Sequence, residues 1–204
     1  DLKVNSGSTV SVPFGSTVYT ATAEELGNFL DDKNIVGSKA FLPVKSDTVT
    51  CNFGGRVVGK EPSLTRLMSE ISSDTDTPTQ VAQKTLSFIT ANIAYDHSEK
   101  EWRGSSQAIK RPNETLMSKK GTCGSLAILY ASLLAQKNIS CWFAYYDGHI
   151  SPFVEGDFPT VPRAVRLTIH GKTVHAAEPT AVGFKIGRSA AQYPFNPATD
   201  WILL

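Results

Sequence analysis

"LMSKKGTCGSLAILYASLLAQKNI", residues 116–139, sets a cysteine between two glycines and follows it with an unbroken run of helix formers. A helix opening at Cys123 carries Leu126, Leu129, Leu133 and Leu134 at spacings of three, four and one. That is a core-facing stripe, so this helix is expected to be central to its domain. Backbone N–H groups of a first helical turn lack intrahelical acceptors and carry partial positive charge. They favour thiolate over thiol and can bind the oxyanion formed when a thiolate attacks a carbonyl. Cys123 is therefore a candidate nucleophile. The competing reading is a small buried hydrophobe. That reading suffices for Cys51, in an alternating strand, and for Cys141, just beyond the helix end.

Working outward, "TPTQVAQKTLSFITANIAY" places Val81, Leu86, Phe88, Ile89 and Ile93 mostly on one helical face. The polar stretch "SSDTDTPTQ" (72–80) leads in and caps that helix. A polar loop over 96–113 then holds His97, Trp102 and Arg103, and loops of this length inside compact domains are often functional. After Asn138 the pattern becomes a strand, "SCWFAYYDG", then a Pro/Gly-rich loop (148–162), then a hairpin, "RAVRLTIHGKTVHAAEPT", turning at His170-Gly171. The chain closes with a loop and a short terminal strand in "YPFNPATDWILL".

Ahead of Gly59 the texture is β-like. "TVSVPFGSTVYTAT" alternates, "SDTVTCNFGGRVVG" reads as a hairpin across Gly54-Gly55, and "TAEELGNFLDDKNI" reads as a short helix N-capped by Thr22. This predicts a β-rich segment over 1–72 and a core over 73–204, without internal repeats.

With 204 residues the chain can bury a core without staples. Its 20 basic and 19 acidic side chains give no field that would attract nucleic acid. Three cysteines make no disulfide framework, and no Cys-x-x-Cys or helical His pair suggests a metal. No cofactor is expected. No apolar run approaches the roughly 18 residues of a membrane span. The sequence starts at Asp1, as an excised domain of a larger chain or a processed secreted or periplasmic protein would.

From Thr79 to Thr180 the chain resembles the transglutaminase-like core of the papain-related superfamily, which holds transglutaminases, arylamine N-acetyltransferases and bacterial cysteine peptidases. The resemblance rests on a helix ending "ANIAYD", the segment "NETLMSKKGTCGSLAILYASLLAQKNISCWFAYYDG" and a hairpin closing in "AEPT". It implies an α+β fold whose cysteine helix packs on an antiparallel sheet. It also implies acyl transfer through a thioester on Cys123, with Glu178 in place of the usual Asp as the acid of a triad. The implied substrate is a protein or peptide amide.

The resemblance places the histidine on the first strand of the hairpin, opposite the acid. If His170-Gly171 form a two-residue turn, Arg166 faces His175 and Arg163 faces Glu178. An arginine cannot serve as a base near neutral pH. A Cys-Arg-Glu set would leave an inactive binding or scaffolding module, with Arg163 and Glu178 as a cross-strand ion pair. Three arrangements restore a base. His175 can serve, oriented by Asn196 or Asp200. His149, in "DGHI", can swing in from its loop. A bulge can turn His175 and Glu178 to the same side. The expected set is Cys123, His175 as preferred base, and Glu178 or Asn196 orienting it. His97 and His170 read as surface residues, Trp142 as core, and Lys119-Lys120 as either thiolate support or a solvated turn.

Overall fold

The computed structural model describes residues 7–30, 40–41, 56–98, 109–146, 149–169, 171–189 and 201–203. The alternating stretch forms two strands, β1 (Thr9–Phe14) and β2 (Thr17–Thr22), paired as a hairpin in the register Thr9↔Thr22 to Phe14↔Thr17. Helix α1 (Ala23–Leu30) starts as expected at Thr22, whose Oγ1 accepts the Glu25 N–H at 3.2 Å while Glu25 reaches back to the Thr22 N–H at 2.8 Å. After the short strand β3 (Ala40–Phe41) comes a helix that the β-rich reading of 1–72 does not contain, α2 (Pro62–Ile71). Its start carries Pro62 at the first turn and Glu61 as an acidic cap, signals of a helix rather than a strand. The proposed hairpin at Gly54-Gly55, and Cys51 with it, lie outside the described residues.

Helix α3 (Pro78–Asn92) opens with a Thr77/Gln80 capping box, and it buries Val81, Leu86, Phe88 and Ile89. It runs into β4 (Ala94–Tyr95), and α4 (Pro112–Ser118) leads to β5 (Lys120–Gly121). The two short strands pair in parallel, Ala94 with Lys120 and Tyr95 with Gly121. Helix α5 (Cys123–Ala135) follows, with every residue from Cys123 to Leu134 buried. Sequence predicts a stripe. The helix is instead covered all round, packing on α2, α3, α4 and the sheet.

The sheet holds β6 (Cys141–Tyr146), β7 (His149–Glu155), β8 (Arg166–Ile169), β9 (Lys172–Ala176) and β10 (Trp201–Leu203). Together with β3 its order is β3-β10-β6-β7-β9-β8, and all pairs are antiparallel. β7 corrects the reading of 148–162 as a loop. Pro152 argues against a strand because it donates no ladder bond, yet its carbonyl accepts the Ala177 N–H at 2.8 Å and Phe143 faces it from β6. The β8–β9 hairpin has the expected register, Ile169 with Lys172 and Arg166 with His175, and Gly171 takes the positive φ of 77° that its turn requires.

One buried cluster draws on Phe14 and Tyr19 of the N-terminal hairpin, Leu64 and Leu67 of α2, Leu86 and Ile89 of α3 and Leu129 and Leu133 of α5. Gln136, at the end of α5, adds a polar clasp to the N-terminal part. Its Oε1 accepts from the Glu61 N–H at 3.0 Å and the Thr65 hydroxyl at 2.9 Å, and its Nε2 donates to the Val58 and Gly59 carbonyls.

Candidate active site

The turn into α5 is set by close packing. A Cβ on Gly121 would stand 3.0 Å from Ser125 Cβ and 3.2 Å from Thr115 Cγ2, so any larger residue would push these neighbours back by a few tenths of an ångström. Thr122 takes the N-cap position in extended conformation and offers no side-chain cap; its carbonyl accepts the Leu126 N–H at 2.9 Å. A polar latch holds the same turn. The Asp96 N–H donates to the Gly121 carbonyl at 3.0 Å, its carboxylate takes the Lys110 ammonium at 2.9 Å, and the Lys110 N–H donates to Ser125 Oγ at 3.0 Å. Hydrogen bonds from Ser98 and Lys110 hold the Asp96 carboxyl below the usual carboxylate range. Cys123, only 2% exposed, is thereby fixed at the head of the central helix.

The histidine beside this thiol is His149. It is the first residue of β7, facing Tyr146 across β6, and is 3% exposed. Its Nε2–H donates to Glu178 Oε2 at 2.9 Å, and its ring is also hydrogen-bonded to Cys123. With Nε2 committed to the carboxylate, Nδ1 is the nitrogen left for sulfur. Burial by itself lowers the pKa of this imidazole. The hydrogen bonds to Cys123 and Glu178 and their charges outweigh burial and raise it from 6.5 to about 9.

Glu178 is fully buried, and its second oxygen is occupied as well. Oε1 accepts from the Thr180 hydroxyl at 2.5 Å and from the Thr180 N–H at 3.4 Å. The "EPT" tail thus supplies both the carboxylate and the donor that fixes its rotation. Thr180 was not singled out by sequence, although a hydroxyl two residues after a carboxylate is a common local bonding pattern.

His175 sits elsewhere. It faces Val154, five residues along β7 from His149, which is about 16 Å at the rise of a strand. It also belongs to the alternate set of positions, on the opposite face of the sheet. Its ring packs edge-on against Phe158 at 5.2 Å, and burial together with the facing Arg166 lowers its pKa. The sequence preference for His175 therefore parts from the geometry at Cys123, where the described partners are His149 and Glu178. Asn196 and Asp200 lie outside the described residues, as do Trp102, Arg103 and His170.

Arg163 does not face Glu178. The β8–β9 pairing ends at Arg166 and His175, and Arg163 is an exposed turn residue with a φ of 58°. Beyond that pair the Ala176 N–H still donates to the Val165 carbonyl at 3.0 Å, but the Val165 N–H and the Ala176 carbonyl both bond Gly187, at 2.7 Å each, so the regular ladder stops there. Trp142 is buried in a cluster with Phe153 and Val174, as expected of a core residue. Lys119 donates to the Pro13 carbonyl at 2.6 Å and lies over the Phe14 ring, while Lys120 is exposed. Burial pushes the Cys141 thiol well above its ordinary value. Among the described residues no cluster of three or more His, Cys, Asp or Glu side chains could hold a metal, and no helix is long and apolar enough to cross a membrane.

The sequence did carry a signal for His149. "FAYYDGHISPFV" places Asp-Gly between two apolar runs, the strongest short-range mark of a two-residue hairpin, and this makes His149 the first residue of a strand.

Fold and site together define an α+β protein with a buried cysteine at the head of its central helix. Residues 63–147 match a family described as a transglutaminase-like domain, the core that the cysteine segment resembles. The match contains Cys123 and stops two residues before His149. No curated protein and no solved structure matches the chain.

Proposed function

We propose that the protein is a cysteine-dependent amide hydrolase or acyltransferase that works through a thioester on Cys123, with His149 as base and Glu178 as its orienting acid. The observation that carries this reading is a single buried imidazole bonded to both the Cys123 thiol and the Glu178 carboxylate. That is the arrangement a nucleophile–base–acid set requires.

In this chemistry the Cys123 proton passes to His149 Nδ1, and the negative charge of Glu178 stabilises the resulting imidazolium. The thiolate attacks an amide carbonyl, a C–S bond forms, and the carbonyl oxygen takes the electron pair. First-turn N–H groups of α5, starting with that of Cys123, face the developing oxyanion. The imidazolium gives its proton to the leaving amine as the C–N bond breaks. Water or an acceptor amine, deprotonated by His149, then displaces the thiolate and completes hydrolysis, deamidation or crosslinking.

Iodoacetamide labelling across pH tests the reading. Cys123 is expected to alkylate faster than Cys51 and Cys141 from below neutrality upward, and His149→Ala is expected to remove that advantage. A Cys123 that reacts no faster than the other two thiols would leave an inactive binding module as the description of this fold.

A further inference from the structure

Helices α1, α3 and α5 each begin behind a threonine, and the first two are capped by it. Thr22 Oγ1 accepts the Glu25 N–H at 3.2 Å, and Thr77 Oγ1 accepts the Gln80 N–H at 3.3 Å. Thr122 holds the same position before α5, yet its side chain caps nothing. Its backbone is not the reason. φ and ψ are −75° and 176° at Thr122 and −68° and 157° at Thr77, both extended as an N-cap requires.

The difference lies three residues on. In α1 and α3 the third helical residue is Glu25 or Gln80, whose side chain reaches back to the threonine N–H. In α5 it is Ser125, fully buried, whose hydroxyl accepts the Lys110 N–H at 3.0 Å and lies 3.4 Å from Thr122 Oγ1. A hydroxyl that accepts from Lys110 still has its own proton to donate, and Thr122 Oγ1 is the oxygen it faces. Lys110 is fixed in turn, its ammonium donating to Asp96 at 2.9 Å and to the Lys120 carbonyl at 3.2 Å. The N–H groups of Gly124 and Ser125, both buried, have no acceptor among the described residues. Buried N–H groups are normally paired, and here a capping oxygen stands beside them turned to another partner.

We infer that Ser125 is a positioning residue for acyl transfer, a role that rests on the amide-transfer reading of Cys123. It holds the Thr122 hydroxyl off the first turn of α5 and so keeps the Gly124 and Ser125 N–H groups available to the oxyanion formed at Cys123. The Asp96–Lys110 pair that anchors it is neutral as a unit, so the device works through position and not through the reactivity of the thiol.

Two reagents separate this role from packing. p-Nitrophenyl acetate acylates a thiolate through an oxyanion: a C–S bond forms, the carbonyl electron pair moves to oxygen, and its return expels p-nitrophenolate, read by absorbance. Iodoacetamide alkylates the same thiolate by displacing iodide and forms no oxyanion. Rates are taken above those of Cys123→Ser. Ser125→Ala releases the Thr122 hydroxyl to cap the turn, and Thr122→Asn supplies a stronger capping oxygen at the same place. In each, acylation of Cys123 should fall on the order of 100-fold, the scale of a lost oxyanion donor, while the pH profile of alkylation stays in place. Thr122→Val/Ser125→Ala, which has no capping oxygen, should recover the acylation rate of Thr122→Val. Equal losses with both reagents, or a double variant no faster than Ser125→Ala, would show a packing role and overturn the assignment. If Ser125→Ala does not fold, Thr122→Asn decides alone, and undiminished acylation there overturns it. A parent Cys123 inert to both reagents removes the chemistry itself, whereas a thiol that alkylates and acylates equally in every variant removes only the role of Ser125.

Discussion

The two ends of β7 place histidines in opposite circumstances. At its start His149 is enclosed with a carboxylate and a thiol, and its pKa is raised to about 9. Near its end, across from Val154, His175 packs on Phe158 beside the cation of Arg166, and its pKa is lowered. Both are buried, and burial pushes both downward. What separates them is that His149 is hydrogen-bonded to Cys123 and Glu178, whose charges add to the effect, whereas His175 has Arg166 facing it against the weaker opposing pull of Gly156 and Asp157.

Removing the two histidines in turn gives the largest expected contrast. His149→Ala should lower the rate of amide turnover, and of Cys123 alkylation at pH 7, on the order of 1000-fold, within the range of a lost general base. His175→Ala should leave both unchanged, and the reverse pattern would invert the comparison.

Glu178→Gln sharpens it further. The rate should fall on the order of 100-fold, and the basic limb of the pH–rate profile should move down from about 9, because the charge that holds the imidazolium is gone. A profile that stays in place would detach Glu178 from the base.

Stability should respond to pH with opposite signs at the two ends. The folded pKa of His149 lies above the ordinary 6.5, so its contribution is complete below pH 6.5 and is lost as pH rises through about 9. The folded pKa of His175 lies below 6.5, so its contribution is present above pH 6.5 and is lost as pH falls through the lowered value. Thermal midpoints of His149→Ala should therefore flatten on the alkaline side, and those of His175→Ala on the acid side. A change on the same side for both variants would contradict the opposed environments.

The smallest effect concerns the turn that presents the thiol. Gly121→Ala should cost about 1–3 kcal/mol in a denaturant titration, as the new methyl crowds Ser125 and Thr115. Gly15→Ala, in the β1–β2 turn with nothing within 4 Å of the added methyl, meets only the backbone penalty of its positive φ. A Gly121→Ala protein as stable as the parent would show that the approach of β5 to α5 can relax.

The α5 cysteine, the N-terminal caps of α1 and α3 and the β8–β9 register were legible because each rests on neighbours in sequence. α2 and β7 were not: the proline of "EPSL" sits at a helix start, and Pro152 sits inside a strand, so the same residue type marks different elements. Arg163 was placed opposite Glu178 by extending a regular ladder past its last pair. The ladder ends earlier because the Val165 N–H and Ala176 carbonyl bond Gly187 and the Ala177 N–H bonds Pro152 of β7.

The sequence by itself determined the helix with Cys123 at its head, a carboxylate in the "EPT" tail, and a near balance of charge that names no partner. Which histidine meets the thiol was decided only by the tertiary structure. His149 and Glu178 are 29 positions apart and come together through the pairing of β7 with both β6 and β9. The β6–β7 hairpin has its local mark in Asp-Gly, but β7 and β9 are not consecutive strands, and their pairing has no local pattern along the chain. It is fixed by what each face of the sheet buries, Phe143 and Ile150 with α5 on one side and Trp142, Phe153 and Val174 on the other, and a shift of one residue would exchange the two sets.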